Sequence, residues 1–309
     1  MQHVFPNYYK KFKCINKKCR HNCCIGWEID IDDDTLQHYD SVSGEIGERL
    51  SQNISRDGDP HFILSDGERC PFLNSENLCD IILSLSEESL CTICREHPRF
   101  HNDLPGRIES GLGLCCEEAA RIIIGQSEPT ELYIHGDFEC DDEIIALRDR
   151  VIALLQERSI SLPERIRNML DLCSASLPKK TLSEWCDIFL SLENLDLKWT
   201  ELLTSLKNEA QNLDFASFDL HMSERQSEYE QFAVYLIYRY FANSFDISEA
   251  SVVALFTALC YTLVHALGAL IFSQTKKFDF EDHTELLRMF SCEIEYSNEN
   301  IDALFDILA

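Results

Sequence analysis

Ten of the fifteen cysteines in this 309-residue chain fall between Cys14 and Cys116, and they fall in four short clusters. CINKKCRHNCC carries Cys14, Cys19, Cys23 and Cys24, and CPFLNSENLC carries Cys70 and Cys79. CTICREHPRF carries Cys91 and Cys94, and LCCEEAARIII carries Cys115 and Cys116. Thiolates gathered this densely repel one another and are costly to bury unpaired, so a cation that deprotonates and neutralises them is the natural resolution. Sulfur ligands in tetrahedral array suit zinc or an iron–sulfur cluster, and spacing does not choose between them. A closed zinc site that only holds the fold, and unligated or redox-active thiols, are the competing readings. The three-cysteine pattern of radical enzymes is not met, because Cys24 follows Cys23 directly. A thioredoxin-like role for Cys91 and Cys94 lacks the β-α-β context it requires.

The chain is long enough for one large core or two ordinary ones. A formal net charge of −27 opposes contact with nucleic-acid phosphates, which gains its affinity from lysine and arginine displacing counterions. Nucleic acid is therefore excluded as an expected partner. The acidity begins after Cys24: the first 24 residues hold Lys10, Lys11, Lys13, Lys17, Lys18 and Arg20 and no acidic residue. The N-terminus shows no apolar signal segment, so a reducing, cytoplasmic location is expected, where close cysteines are more often ligands or catalytic thiols than bridges. Ser251 to Ser273 is about long enough to cross a bilayer. Its Ser, Thr, Cys, Tyr and His content fits a central core helix better, and no membrane span is expected.

The fold class read from these patterns is mainly α: a cysteine-rich metal-binding region over residues 1–125 with little β structure, then a helical, bundle-like domain over 126–309. Gly125 to Thr130, with its glycine, proline and small polar residues, supplies the boundary. Apolar residues recur at helical spacing from Asp141 to Arg158. Thr181 with Glu184, Ser223 with Gln226, and Asp246 with Glu249 match capping patterns, and Pro163 suits a first helical turn. Trp27 to Ile31, alternating apolar and acidic residues, predicts a short strand. The later cysteines, Cys140, Cys173, Cys186, Cys260 and Cys292, stand singly among apolar neighbours.

Other candidate sites yield to plainer readings. Asp30, Asp32 and Asp34 begin like a calcium loop, but Thr35 replaces the required glycine and Ser41 the bidentate glutamate, which leaves a solvated helix start. His97 and His101 stand near Cys94 and are weighed as ligands or bases against a loop that buttresses the metal. His265 reads as a hydrogen-bonded core histidine, and Trp185 and Trp199 as core. Gly111-Leu-Gly113-Leu is the one glycine-containing turn that a nucleotide could use, and a tight turn carrying Cys115 and Cys116 is the simpler account.

The strings FKCINKKCRHNCCIGWEIDID, CPFLNSENLCDI, CREHPRF and GLGLCCEEAARIII, in that order, resemble the flagellin lysine-N-methylase family, whose N-terminal part belongs to a wider class of cysteine-rich zinc- or iron-chelating domains. The resemblance covers residues 5–125 and extends weakly into the helical half through YLIYRYF at Tyr235 to Phe241. It implies a protein lysine N-methyltransferase acting on flagellin or another lysine-rich protein, with S-adenosylmethionine as methyl donor and a 4Fe-4S cluster, zinc being the alternative. By position it implies a metal-ligand pool of Cys14, Cys19, Cys23, Cys24, Cys70, Cys79, Cys94 and Cys116, with Cys91 and Cys115 less secure. It assigns no catalytic base and no donor-binding residue. The alternative function is a non-catalytic module whose metal is structural or carried for others.

Overall fold

A computed structural model describes residues 1–137 and 142–309; Cys140 and Asp141 lie outside the described residues. The chain forms two compact units, one of Met1–Phe12 with His101–Ala309 and one of Lys13–Phe100. This division differs from the one expected at residue 125. Strand β1 (Gln2–Pro6) pairs in parallel with Arg107–Leu112, so the first residues and the segment after residue 100 share a sheet.

The smaller unit is built of short pieces: α1 (Asp33–Ser41), α2 (Glu45–Gln52), β2 (Ile54–Ser55), β3 (His61–Phe62), α3 (Asp80–Ser84) and α4 (Thr92–Glu96). Asp32 starts α1 as an N-cap, its carboxylate accepting from Thr35 N at 3.1 Å and Thr35 Oγ1 at 2.9 Å. That is the solvated helix start expected of the aspartate run, and such a cap satisfies an amide that has no helical partner. The core gathers Ile29, Ile31, Tyr39, Leu50, Phe62 and Phe72. The strand predicted over Trp27 to Ile31 does not form. Ile29 and Ile31 are buried while Glu28 and Asp30 are exposed, so the alternation is real, but pairing stops at a single bridge from Asp30 to His61. Ile31 N instead donates to Pro60 O and Phe62 N to Ile29 O.

The larger unit opens with a mixed sheet of β4 (Arg99–Leu104, in this unit from His101), β5 (Arg107–Leu112), β1 and β6 (Leu132–His135), in the order β4-β5-β1-β6. Gly106, at φ +73°, turns the chain between β4 and β5 in a conformation that glycine adopts without steric cost. β1 pairs in parallel with β5, Gln2 opposite Arg107, and antiparallel with β6, His3 opposite His135. After α5 (Glu117–Ile124), which ends at Gly125, come α6 (Glu143–Leu155), α7 (Leu162–Leu172), α8 (Leu182–Ser191) and α9 (Leu197–Glu209). Then follow α10 (Phe215–His221), α11 (Gln226–Tyr240), α12 (Ile247–Thr275), α13 (Phe280–Phe290), a π-helical turn (Ser291–Glu295) and α14 (Asn298–Leu308). The protein is thus mainly α, with little β structure.

The 29-residue α12 runs through the middle of this unit, against α7, α9, α10, α11, α13 and α14. It is long and apolar enough to cross a membrane, and 72% of its most apolar stretch is buried inside the protein. A helix apolar all round is what a central core position requires. Thr181 and Glu184 form a reciprocal capping box at α8, and Asp246 caps α12 through Ser248 N and Glu249 N. Ser223 does not cap α11, whose N-cap is Arg225 without a side-chain bond. The Arg225 guanidinium is spent on Glu228 and on Phe278 O. Trp185 and Trp199 are core, as expected.

Candidate functional site

Seven of the eight cysteines in the expected ligand pool lie in the smaller unit, and Cys116 lies in the larger one. Every cysteine among the described residues is a free thiol. Local structure explains how loops distant in sequence bring their sulfurs together. Cys70 N donates to Cys24 O at 2.8 Å, tying the first cluster to the second. Cys79 is the N-cap residue of α3, and Leu73 bridges to Cys79 across its loop. Cys91 is the N-cap residue of α4 and Cys94 sits in its first turn, so one helix start presents two sulfurs. Cys70 and Cys91 are buried, and Cys24, Cys79 and Cys94 half-buried.

These thiols act on one another. Cys23 and Cys24 pair by a hydrogen bond that holds Cys23 below the ordinary thiol range and drives Cys24 far above it, a rise reinforced by burial and by Cys70 and Cys79. Cys91 and Cys94 repeat the arrangement: the bond lowers Cys91 and raises Cys94, to which burial, Cys24 and Cys70 add. Burial pushes Cys70 up to about 11, with Cys79 and Cys91 contributing. Burial likewise raises Cys79. Six sulfurs, those of Cys23, Cys24, Cys70, Cys79, Cys91 and Cys94, therefore form one interacting set, and Cys91, the less secure candidate, belongs to it. Cys14 Sγ accepts from Asn16 N at 3.4 Å and Cys19 Sγ donates to His21 O at 3.0 Å, each bond lying within the first cluster.

As the side chains stand, no group of three or more His, Cys, Asp or Glu among the described residues is arranged to hold a metal ion. The chemistry of the donor set nevertheless fits a soft cation. It offers several thiols whose mutual repulsion makes them poor isolated anions, with no disulfide among them. One further observation concurs. The hydroxyl of Tyr39, buried in the same core cluster as Cys79, Cys91 and Cys94, finds no acceptor for its proton.

The surroundings are equally defined. Asp32 accepts from Thr92 N at 2.7 Å, fixing the start of α4. Burial opposes its charge, but the bonds from Thr92 and Thr35 win and hold its carboxyl at about 2. His97 packs near Trp27, ring centroids 6.4 Å apart. Burial, with Arg99 assisting, lowers its imidazole to about 4, so it is a neutral ring at pH 7. His101 lies in the other unit, on β4, its Nδ1 2.8 Å from Ser110 Oγ.

The larger unit holds a second polar cluster that sequence reasoning missed. Its signal was YLIYRYF on α11, which supplies Tyr235, Arg239 and Tyr240. The π-helical turn supplies Glu295, whose side chain is fully buried. Tyr235 Oη donates to Glu295 at 2.9 Å and 3.1 Å, Tyr240 Oη at 2.9 Å, and Arg239 Nη1 reaches Tyr235 Oη at 2.7 Å. π-helical turns are rare and are frequent at functional sites. Beside it, burial drives the Cys115 thiol well up, with Cys292 adding to the effect and a hydrogen bond from Tyr296 opposing it. Cys292 Sγ lies 3.8 Å from Cys115 O. Gly111 ends in β5 and Gly113 begins the turn that carries Cys115 and Cys116 to α5, the simpler of the two roles expected for that glycine pair. His265 bonds Asp219 at 2.8 Å, the hydrogen-bonded state expected of it.

Known proteins resemble part of this chain. Residues 175–309 match the family described as FliB lysine N-methylase C-terminal domain. The lysine-N-methylases of Salmonella typhimurium and Salmonella choleraesuis are each 27% identical over 135 residues, 41% of this chain and 33% of theirs. The flagellar biosynthetic protein FliU of Salmonella muenchen is 27% identical over 135 residues, 41% of this chain and 79% of that protein. The chain thus spans about a third of the length of the lysine-N-methylases it matches. No solved structure matches it. The family match falls on the half where the sequence resemblance is weaker, and it contains YLIYRYF. Over residues 175–309 the chain is thus similar to the C-terminal domain of the FliB lysine N-methylases.

Proposed function

We propose that this protein is a lysine N-methyltransferase acting on flagellin or a flagellin-like protein, with S-adenosylmethionine as donor and a cysteine-held metal in its smaller unit. The observation that carries the reading is the match of residues 175–309 to the lysine N-methylase C-terminal domain. The interacting thiols supply the metal part of it. Cys24, Cys70, Cys79, Cys91 and Cys94, with Cys23 at their edge, would hold the centre. A bound 4Fe-4S cluster would supply electron transfer, and zinc a Lewis acid or a structural clamp.

A lysine amine, with an ordinary pKa near 10.4, carries its lone pair in only about one molecule in a few thousand at pH 7, so the enzyme must favour loss of a proton. A dry site does this, whereas the strongly acidic body (net charge −27) attracts lysine but stabilises its cation. Glu295 is an unpromising proton acceptor, because its oxygens already accept from Tyr235 and Tyr240 beside Arg239. Its cluster reads as an anchor that fixes α11 against the π-helical turn.

The test is anaerobic purification followed by metal analysis and incubation with S-adenosylmethionine and flagellin. Iron–sulfur protein is expected to be brown, absorbing broadly near about 400 nm, and mass spectrometry should find methyl groups on flagellin lysines. A fully loaded protein that leaves every lysine unmodified overturns the proposal and favours the non-catalytic metal module.

A further inference from the structure

Tyr39 lies on α1 with its side chain almost wholly enclosed, 3% exposed, and ring centroids 6.1 Å from Phe62. A buried phenol ordinarily finds an acceptor for its proton, since leaving one unmade forfeits most of the bond's value. The Tyr39 hydroxyl has none. It shares one core cluster with Cys91, against which Cys79 and Cys94 also pack, and the Cys91 amide faces its oxygen. An amide N–H only donates, so it can serve the phenol's oxygen but never take its proton. The only acceptors among these neighbours are sulfurs, and a neutral thiol is a weak one. A thiolate bound to a cation keeps negative charge on sulfur and accepts a stronger, charge-assisted bond.

We infer that Tyr39 is a positioning residue whose hydroxyl donates to a metal-bound cysteine thiolate, that of Cys79, Cys91 or Cys94, once the thiol set holds a soft cation. The inference rests on the proposed metal-binding role of those thiols. On this account the hydroxyl's proton lacks an acceptor without metal and gains one with it. Partners of this kind, one step outside the ligands, typically change metal affinity by about 10- to 100-fold.

The test compares the full chain with Tyr39→Phe, both stripped of metal and titrated with Co2+ under reducing, oxygen-free conditions. Wild-type protein is expected to develop intense thiolate-to-cobalt charge-transfer absorption. In Tyr39→Phe the affinity for Co2+ should fall about tenfold, and the band should move to longer wavelength, because a sulfur relieved of a hydrogen bond gives up its electron more readily. Thermal melts supply a second readout. Metal-free Tyr39→Phe should melt at or above the wild-type temperature, since it loses only an unpaired polar group, while the cobalt-loaded variant should melt lower than cobalt-loaded wild type. Cobalt affinity and band position unchanged in Tyr39→Phe would overturn the inference alone. So would equal destabilisation of the metal-free and loaded forms, which is the mark of mere packing. No thiolate-to-cobalt band in the wild type would overturn the metal reading and the inference with it.

Discussion

His97 shows how one enclosed ring sets a pH limb. Burial, aided by Arg99, lowers its folded pKa from 6.5 to about 4, whereas the unfolded imidazole takes its proton near the ordinary value. Between these values the unfolded state binds more protons than the folded one, so stability rises with pH there. The contribution is complete above pH 6.5 and is lost as pH falls toward 4, by at most about 3 kcal/mol for a shift of this size. Asp32 has the opposite charge type but the same direction: its folded carboxyl, held at about 2, contributes above its ordinary value of 3.8 and loses that contribution as pH falls toward 2. The two windows are separate, so each limb can be read alone. Urea unfolding from pH 6.5 to 4 should show the His97 limb in wild type and a much flatter one in His97→Phe. A limb of equal steepness in the variant would show that His97 does not produce it.

At the scale of elements, the centre of the larger unit turns on α12, where Gly268 lets neighbouring rings approach the helix backbone. A Cβ built there would stand 2.7 Å from Tyr229 Oη, 2.8 Å from Phe218 Cζ and 3.2 Å from Phe278 Cζ. Alanine ordinarily gains about 1 kcal/mol over glycine inside a helix, but overpacking a filled core costs about 1 to 3 kcal/mol. Three rings facing one methyl group make the second effect the larger. Gly268→Ala should therefore lower the melting temperature of the helical unit by several degrees, and an unchanged or raised melting point would show that the rings yield freely. The sequence displays α12 through its long apolar run, and the starts of α8 and α12 through Thr181 and Asp246, because these signals act within one turn of chain. It does not display the role of Gly268, which depends on residues 39 to 50 positions back in α10 and α11. Nor does it reveal that Arg225, not Ser223, begins α11, since the arginine is drawn to Phe278 O far along the chain. The Trp27–Ile31 alternation misled for a related reason: burying every second side chain requires only an extended chain, whereas a strand needs a partner of matching length.

At the scale of the whole molecule, the cysteine spacing and the family match point to different parts of the chain, and the fold explains why neither sufficed alone. The spacing made the cysteine clusters legible, and seven of the eight expected ligands lie within the unit of residues 13–100. Cys116 falls outside that unit because the sheet of β1 and β5 draws its segment into the larger one, a long-range pairing that no local pattern announces. The buried Glu295 cluster stayed hidden because a charged residue shows its partners only after packing. The two units also differ in what can stabilise them. The larger is organised around α12, whereas the smaller has helices of at most nine residues and places two buried cysteines, Cys70 and Cys91, in its core. A unit of that size, with short elements and a limited apolar core, gains most from a cross-link or a metal. If the proposed metal is bound, chelating it should therefore speed hydrogen exchange across residues 13–100, most of all in α3 and α4, which carry Cys79, Cys91 and Cys94 at their starts. Amides of α11 and α12 should keep their protection. Exchange measured by mass spectrometry with and without chelator decides this. Equal loss in both units would mean that the metal stabilises the molecule as a whole, and no loss in either would mean that the small core stands without it.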